Sequence, residues 1–99
     1  MENPIHNLNK LFDSRVRLGI MSALRVNDSV SFNDLKELLQ ITDGNLASHA
    51  KALEEANIIK IKKSFVGKKT NTNYSLTKTG EKLFNQHIQA LENMIGRLK

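Results

Sequence analysis

The 99-residue chain contains no cysteine, which removes disulfides, thiolate metal sites and cysteine redox sensing together. It has no run of 18 apolar residues, so no segment reads as a transmembrane helix. The opening stretch MENPIHNLNK lacks the hydrophobic segment of a secretory signal, and a cytoplasmic address is expected. Aromatic residues are few: four phenylalanines and one tyrosine, mostly at core-like positions, with no tryptophan. Stacking platforms for RNA or single-stranded DNA are therefore disfavoured. No nucleophile–base pair, carboxylate pair with a histidine, phosphate loop or zinc-ligand spacing is present, so no catalytic site, metal or cofactor is expected. Internal repeats and low-complexity segments are lacking, and the length fits one domain over 1–99 without a separate ligand-binding domain.

What is present is an ordinary globular balance with an uneven charge. Hydrophobic residues make up 39% and charged residues 25%, which is enough apolar material for a core. Residues 1–50 carry five basic and six acidic side chains, whereas residues 51–99 carry ten basic and four acidic ones. Lys60, Lys62, Lys63, Lys68 and Lys69 fall within ten positions that hold no acid. Such a local positive field suits a polyanion, although a solvated lysine-rich surface has the same composition.

Periodicity divides the chain into elements. Asn3 followed by Pro4 is a helix-start signal, and Ile5, Leu8, Leu11 and Phe12 recur at helical spacing, which predicts a short helix over 4–12. Asp13 or Ser14 can cap a second helix bearing Val16, Leu18, Ile20, Met21 and Leu24. Ser31-Phe32-Asn33-Asp34 is a capping-box-like start for a two-turn helix with Phe32, Leu35, Leu38 and Leu39 on one face. After a short connector, Thr42 or Asp43 caps a helix whose stripe is Leu46, Ala50 and Leu53, ending near Asn57. Two helices joined by so short a turn form a helix-turn-helix pattern within a helical core over 13–57. The period then changes to two. Ile59 and Ile61 alternate with lysines, and Thr72, Tyr74 and Leu76 alternate with Asn71, Asn73 and Ser75, around a tip at Gly67–Asn71. A basic hairpin, a wing, is expected over 58–77. Thr77 or Thr79 then caps a last helix over 78–98 with an apolar seam at Phe84, Ile88, Leu91, Ile95 and Leu98. The fold class expected is mainly α with a small β-hairpin, a winged helix-turn-helix.

This order resembles the winged-helix regulators of the MarR and ArsR type, and more closely their minimal single-domain relatives. The residues that carry the likeness are Asp43-Gly44-Asn45-Leu46-Ala47-Ser48-His49, then Leu53-Glu54-Glu55-Ala56-Asn57-Ile58-Ile59, then Leu76-Thr77-Lys78-Thr79-Gly80. It covers roughly residues 13–95. Where the family usually has glycine, this chain has Asn57, the next best residue for a left-handed helix end. The cysteines of metal-sensing relatives are absent. The resemblance implies a regulator of the prokaryotic nucleoid that binds double-stranded DNA.

On that reading the helix after the turn enters the major groove with its N-terminal residues at the base edges. Its outer face offers Gly44, Asn45, Ala47, Ser48, His49 and Lys51. Asn45 can pair with adenine, Lys51 can reach guanine or a phosphate, and Ala47 can touch a thymine methyl; alternatively Asn45 merely supports the helix start. His49 is expected to be partly buried or to contact a phosphate, since no second ligand stands at metal spacing. His6 and His87, on the two terminal helices, could approach each other in a dimer. Lys62, Lys63, Lys68, Lys69, Thr70 and Asn71 of the wing, with Ser31 and Asn33 at a helix start, are candidates for phosphate contact. Two copies related by a two-fold axis would match a palindromic operator. The candidate dimer interface joins Ile5, Leu8, Leu11 and Phe12 with Phe84, Ile88, Leu91, Ile95 and Leu98, unless these faces only complete the monomer core. The sequence names no small-molecule effector, and no membrane partner is expected. The competing readings are a winged-helix protein-interaction module and a non-specific nucleic-acid binder. The first should lose the wing lysines and expose an apolar recognition face.

Overall fold

The computed structural model describes Asn3 and residues 5–97. Among these residues four α-helices and a three-stranded sheet follow one another as α1 (Arg15–Arg25), β1 (Val30–Ser31), α2 (Phe32–Leu39), α3 (Asp43–Glu55), β2 (Ile59–Val66), β3 (Lys69–Leu76) and α4 (Lys78–Arg97). The caps explain most of these boundaries. Ser14 Oγ accepts from the Arg17 amide, Ser31 Oγ from Asp34 and Thr42 Oγ1 from Asn45, each filling one otherwise empty donor site of a first turn.

The N-terminal segment departs from the expected helix over 4–12. Asn9 is extended, its side chain accepts from the Leu11 amide, and a separate 3-10 turn runs over Lys10–Phe12. A side-chain cap in mid-segment starts a new turn and interrupts the old one. Pro4, the expected first helical residue, lies outside the described residues. The Asn9 amide instead donates to His87 Nδ1 at 3.0 Å, tying the segment to α4.

The ends of α2 and α3 each rest on a left-handed residue. Asn57 has φ 61, with its amide on the Glu54 carbonyl and the Ile58 amide on Leu53, which is a complete Schellman end for α3. Asparagine thus performs the role expected of it. Gln40 has φ 52 and closes α2, with the Ile41 amide on the Lys36 carbonyl. No sequence signal announced that, because glutamine has no particular preference for this conformation.

The core gathers Ile20, Met21 and Leu24 of α1, Leu35 of α2, Leu46, Ala50 and Leu53 of α3, then Ile58, Ile59, Tyr74 and Phe84. Leu38 is exposed, contrary to its expected place on the α2 apolar face. The hairpin expected of the sequence is larger by one strand, since β3 lies between β2 and β1 in the order β1-β3-β2. Val30 pairs with Tyr74 and Ser31 with Asn73, which anchors the base of the wing to the start of α2. A two-residue strand carries no periodic signal, so sequence alone could not find it.

On α4 the stripe packed against the body is Gly80, Phe84, His87 and Ala90. Ile88 and Leu91 are half-buried and Ile95 is exposed, so the expected seam lies along the flank of the packed stripe. Phe12 and Phe84 meet edge to face with centroids 5.3 Å apart, and both are buried within one chain. They belong to the monomer core, which corrects their assignment to a dimer face; the aromatic pair satisfies itself internally. Leu98 lies outside the described residues.

His87 sits buried beside Phe12 and Phe84. Burial pushes its pKa below the ordinary value, partly opposed by the Asp13 carboxylate. An imidazole that accepts a backbone N–H at Nδ1 must lose that bond on protonation there. The unfolded chain then binds the proton more readily than the native one. Stability linked to His87 is therefore complete above pH of about 6.5 and is lost as pH falls from there through the lowered native pKa. Urea midpoints measured from pH 7.5 downward should show this loss in the parent chain, and His87→Gln should flatten it. Parallel pH profiles for the two proteins would refute the linkage.

Candidate nucleic-acid interface

The inward stripe of α3 leaves a continuous polar face outward. Asn45, Ala47, Ser48 and Lys51 are all exposed, as is Gly44 at the start of the helix. A β-carbon placed on Gly44 would meet nothing within 4 Å, so no packing within the chain demands glycine there. Thr42, through its hydroxyl, caps the helix, which leaves the exposed Asn45 side chain outside the capping role that was its alternative.

His49 is half-buried, and its Nδ1 accepts from the Arg17 Nε–H at 3.0 Å. A guanidinium has no acceptor, so Nδ1 carries no proton in this pair and the ring N–H lies at Nε2. Arg17 also reaches the Leu11 carbonyl at 3.4 Å, which joins the N-terminal segment, α1 and α3 through one side chain. Sequence reasoning missed Arg17. It stands 32 residues from His49, and no local periodicity connects the two. Between α2 and α3 the Lys36 ammonium pairs with Asp43 at 2.9 Å, an exposed bridge that contributes less than about 1 kcal/mol.

The wing is a ribbon whose two faces differ. Val66 pairs with Lys69, so the tip is the two-residue turn Gly67-Lys68, shorter than the expected tip over Gly67–Asn71. Gly67 alone of the two has positive φ, the pattern of a II′ turn, which glycine adopts without strain. Side chains alternate along each strand, and directly paired residues share a face. Ile59, Ile61, Lys63 and Phe65 therefore share one face with Leu76, Tyr74, Thr72 and Thr70. At its base this face is buried against the core through Ile59 and Tyr74. Farther out it forms one wall of a groove opposite α3, with Lys63 and Thr72 across from Ala47, Lys51 and Glu54, over a floor of Phe32 and Tyr74. Burial first, and the Glu54 carboxylate second, push the Tyr74 phenol pKa above 10.0.

Lys62, Lys69 and Asn71 fall on the opposite face with Lys60, and Lys68 occupies the turn. The lysines thus do not form one track. Lys63 and Thr70 stand on the α3 side, whereas Lys62, Lys69 and Asn71 stand on the outer side. Ser31 is half-buried and occupied as a cap, while its neighbour Asn33 is exposed.

Of the described residues expected at a dimer face, Ile5 and Ile95 are the most open, at 58% and 59% exposure. Leu8, Leu11, Ile88 and Leu91 are half-buried, and Ile5, Leu8 and Leu91 line a partly apolar groove between the N-terminal segment and α4 with His87 in its wall. His6 and His87 line the same groove, but His87 is committed to Asn9 within its own chain. Among the described residues no group of three or more His, Asp or Glu is placed to hold a metal ion. No helix among them is long and apolar enough to cross a membrane.

Comparison with known proteins agrees with this geometry. A family model described as a winged helix DNA-binding domain matches residues 16–95. An uncharacterized protein of Methanocaldococcus jannaschii is 39% identical over 79 residues, covering 80% of this chain and 86% of its own length. A transcriptional regulator homologue from Pyrococcus horikoshii OT3 superposes with a TM-score of 0.83 at 28% identity, over 90% of this chain and 88% of the other. The structure of MarR shares the fold with a TM-score of 0.76 at 15% identity, over 95% of this chain and 68% of MarR.

Proposed function

The chain belongs to the winged helix DNA-binding domain family, and from that premise we propose that it is a homodimeric regulator that reads double-stranded DNA in the cytoplasm. The observation that carries this reading is the groove between α3 and the inner face of the wing. In B-form DNA a single sugar-phosphate strand separates a major from a minor groove. With α3 in the major groove and the wing tip toward the minor groove, that strand runs between them, flanked by Lys51 and Lys63. Asn45, Ala47, Ser48 and Lys51 then meet base edges, and Gly44 lets the helix start approach the backbone closely. His49 presents its Nε2–H to a phosphate, held in that orientation by Arg17. Lys62, Lys68, Lys69, Thr70, Asn71, Ser31 and Asn33 add contacts that position the protein without reading sequence.

One such unit makes few base contacts, and a second copy doubles the readout. The open apolar flank of Ile5, Leu8, Leu11, Ile88, Leu91 and Ile95 is the surface we assign to pairing, without Phe12 and Phe84. Selection from a random duplex pool should recover a palindrome with half-sites about one helical turn, ~10 base pairs, apart. Removing a phosphate-contacting lysine lowers the slope of log affinity against log salt by about one. The variant Lys68→Ala with Lys69→Ala should therefore lose about two units of slope per chain and keep its preferred sequence. Equal binding to single strands with no recovered motif would overturn the specific-regulator reading.

A further inference from the structure

We propose that Phe65 is a minor-groove wedge, an apolar contact from the wing tip to the sugar edges and a base step of the duplex. The proposal rests on the DNA-binding reading above and adds to it a residue that neither composition nor charge singled out. Phe65 is 78% exposed, the most open of the large apolar side chains among the described residues, and its cross-strand neighbour is the small Thr70. A ring left in water forgoes burial worth roughly ten- to a hundredfold in an equilibrium constant. The turn itself does not need it, since Gly67 supplies the required backbone conformation.

Its position fits the proposed role. Phe65 lies on the inner face of the wing, two residues beyond Lys63 and four beyond Ile61, which lines the groove against α3. At about 3.3 Å per residue the ring is carried about 13 Å past Ile61. Neighbouring major and minor grooves are half a helical turn apart, about 17 Å, so a tip of this reach arrives at the minor groove when α3 lies in the major one. That groove is about 6 Å wide, which admits a turn and single side chains but not a two-stranded ribbon. Here the tip narrows to the turn Gly67-Lys68. Lys63 on the same face as the ring and Lys68 in the turn complement the phosphates that line the groove walls. Inserted apolar side chains partly unstack a base step and bend the duplex. A lipid surface also accepts lysines with an aromatic ring, but Phe65 follows Lys63 on the wing face that looks across a groove to Lys51, and a flat bilayer cannot meet both walls of that groove.

The test uses the full chain and the duplex recovered from the random pool. An apolar contact releases no counterions, so it changes affinity without changing salt dependence. Phe65→Ser should bind about ten- to thirtyfold more weakly with an unchanged salt slope, and Phe65→Leu should recover most of the loss. Both variants should melt with the parent chain, because the residue is exposed. Unchanged duplex affinity in Phe65→Ser, with the parent chain still binding, overturns the wedge and leaves the DNA reading intact. A lowered slope overturns it too, as does unchanged duplex affinity together with lost binding to phosphatidylserine-containing vesicles. Failure of the parent chain to bind any duplex at low salt overturns the DNA reading, and the wedge with it.

Discussion

Gly80→Ala is expected to destabilise the fold by more than about 3 kcal/mol, a large part of the stability of a domain this size. A β-carbon on Gly80 would lie 2.0 Å from the Ile58 carbonyl oxygen and 2.8 Å from its carbon. Neither atom can yield, because that carbonyl also accepts the Thr77 amide at 3.1 Å. Thr77 completes the junction. Its buried hydroxyl accepts from the Gly80 amide at 2.8 Å and donates to the Asn57 carbonyl at 2.7 Å. One clasp thus binds the end of α3, the root of β2 and the start of α4. Urea denaturation followed by circular dichroism measures the loss directly, and Gly44→Ala is the control. With open space around it, that change should be neutral or stabilise α3 by up to about 1 kcal/mol. A Gly80→Ala unfolding free energy within about 0.5 kcal/mol of the parent would mean that α4 can shift away without cost.

Lys51→Glu is expected to lower affinity for the selected duplex by about a hundredfold or more. On the proposed docking, the change removes a contact from the outer face of α3 and puts a carboxylate against the phosphates. In a dimer the loss occurs twice. The fold should survive, since Lys51 is exposed and the new repulsions with Glu54 and Glu55 one turn on cost only about 0.2–0.5 kcal/mol each. Fluorescence anisotropy at fixed salt reads the affinity, and the urea midpoint checks the fold. Affinity within threefold of the parent would remove α3 from the major groove.

Much of the architecture was legible because the signals are local. Ser14, Ser31 and Thr42 announce their helices through a hydroxyl three residues before the amide it serves. The stripe of Leu46, Ala50 and Leu53 declares which face of α3 is inward, and so which face can meet a ligand. The N-terminal helix failed as an expectation because apolar spacing over 5–12 competed with the Asn9 cap, and the cap prevailed through its tertiary bond to His87. The terminal seam lies partly beside the stripe that packs. Spacing of four and three can belong to either of two adjacent stripes of a helix, and only packing selects between them.

By itself, then, the sequence determined the winged helix-turn-helix, its capped helices, its basic hairpin and the outward polar face of α3. Each of these depends on propensity, period or charge over a few neighbouring residues. The tertiary structure decided the rest: the third strand at the wing root, Arg17 on His49, the withdrawal of Phe12 and Phe84 into the core, and the clasp at Gly80. It also divided the wing, placing Lys63 and Phe65 on the side of α3 and Lys62 and Lys69 on the other. Those outcomes pair residues far apart in the chain, and the closeness that creates them exists only once the core has formed.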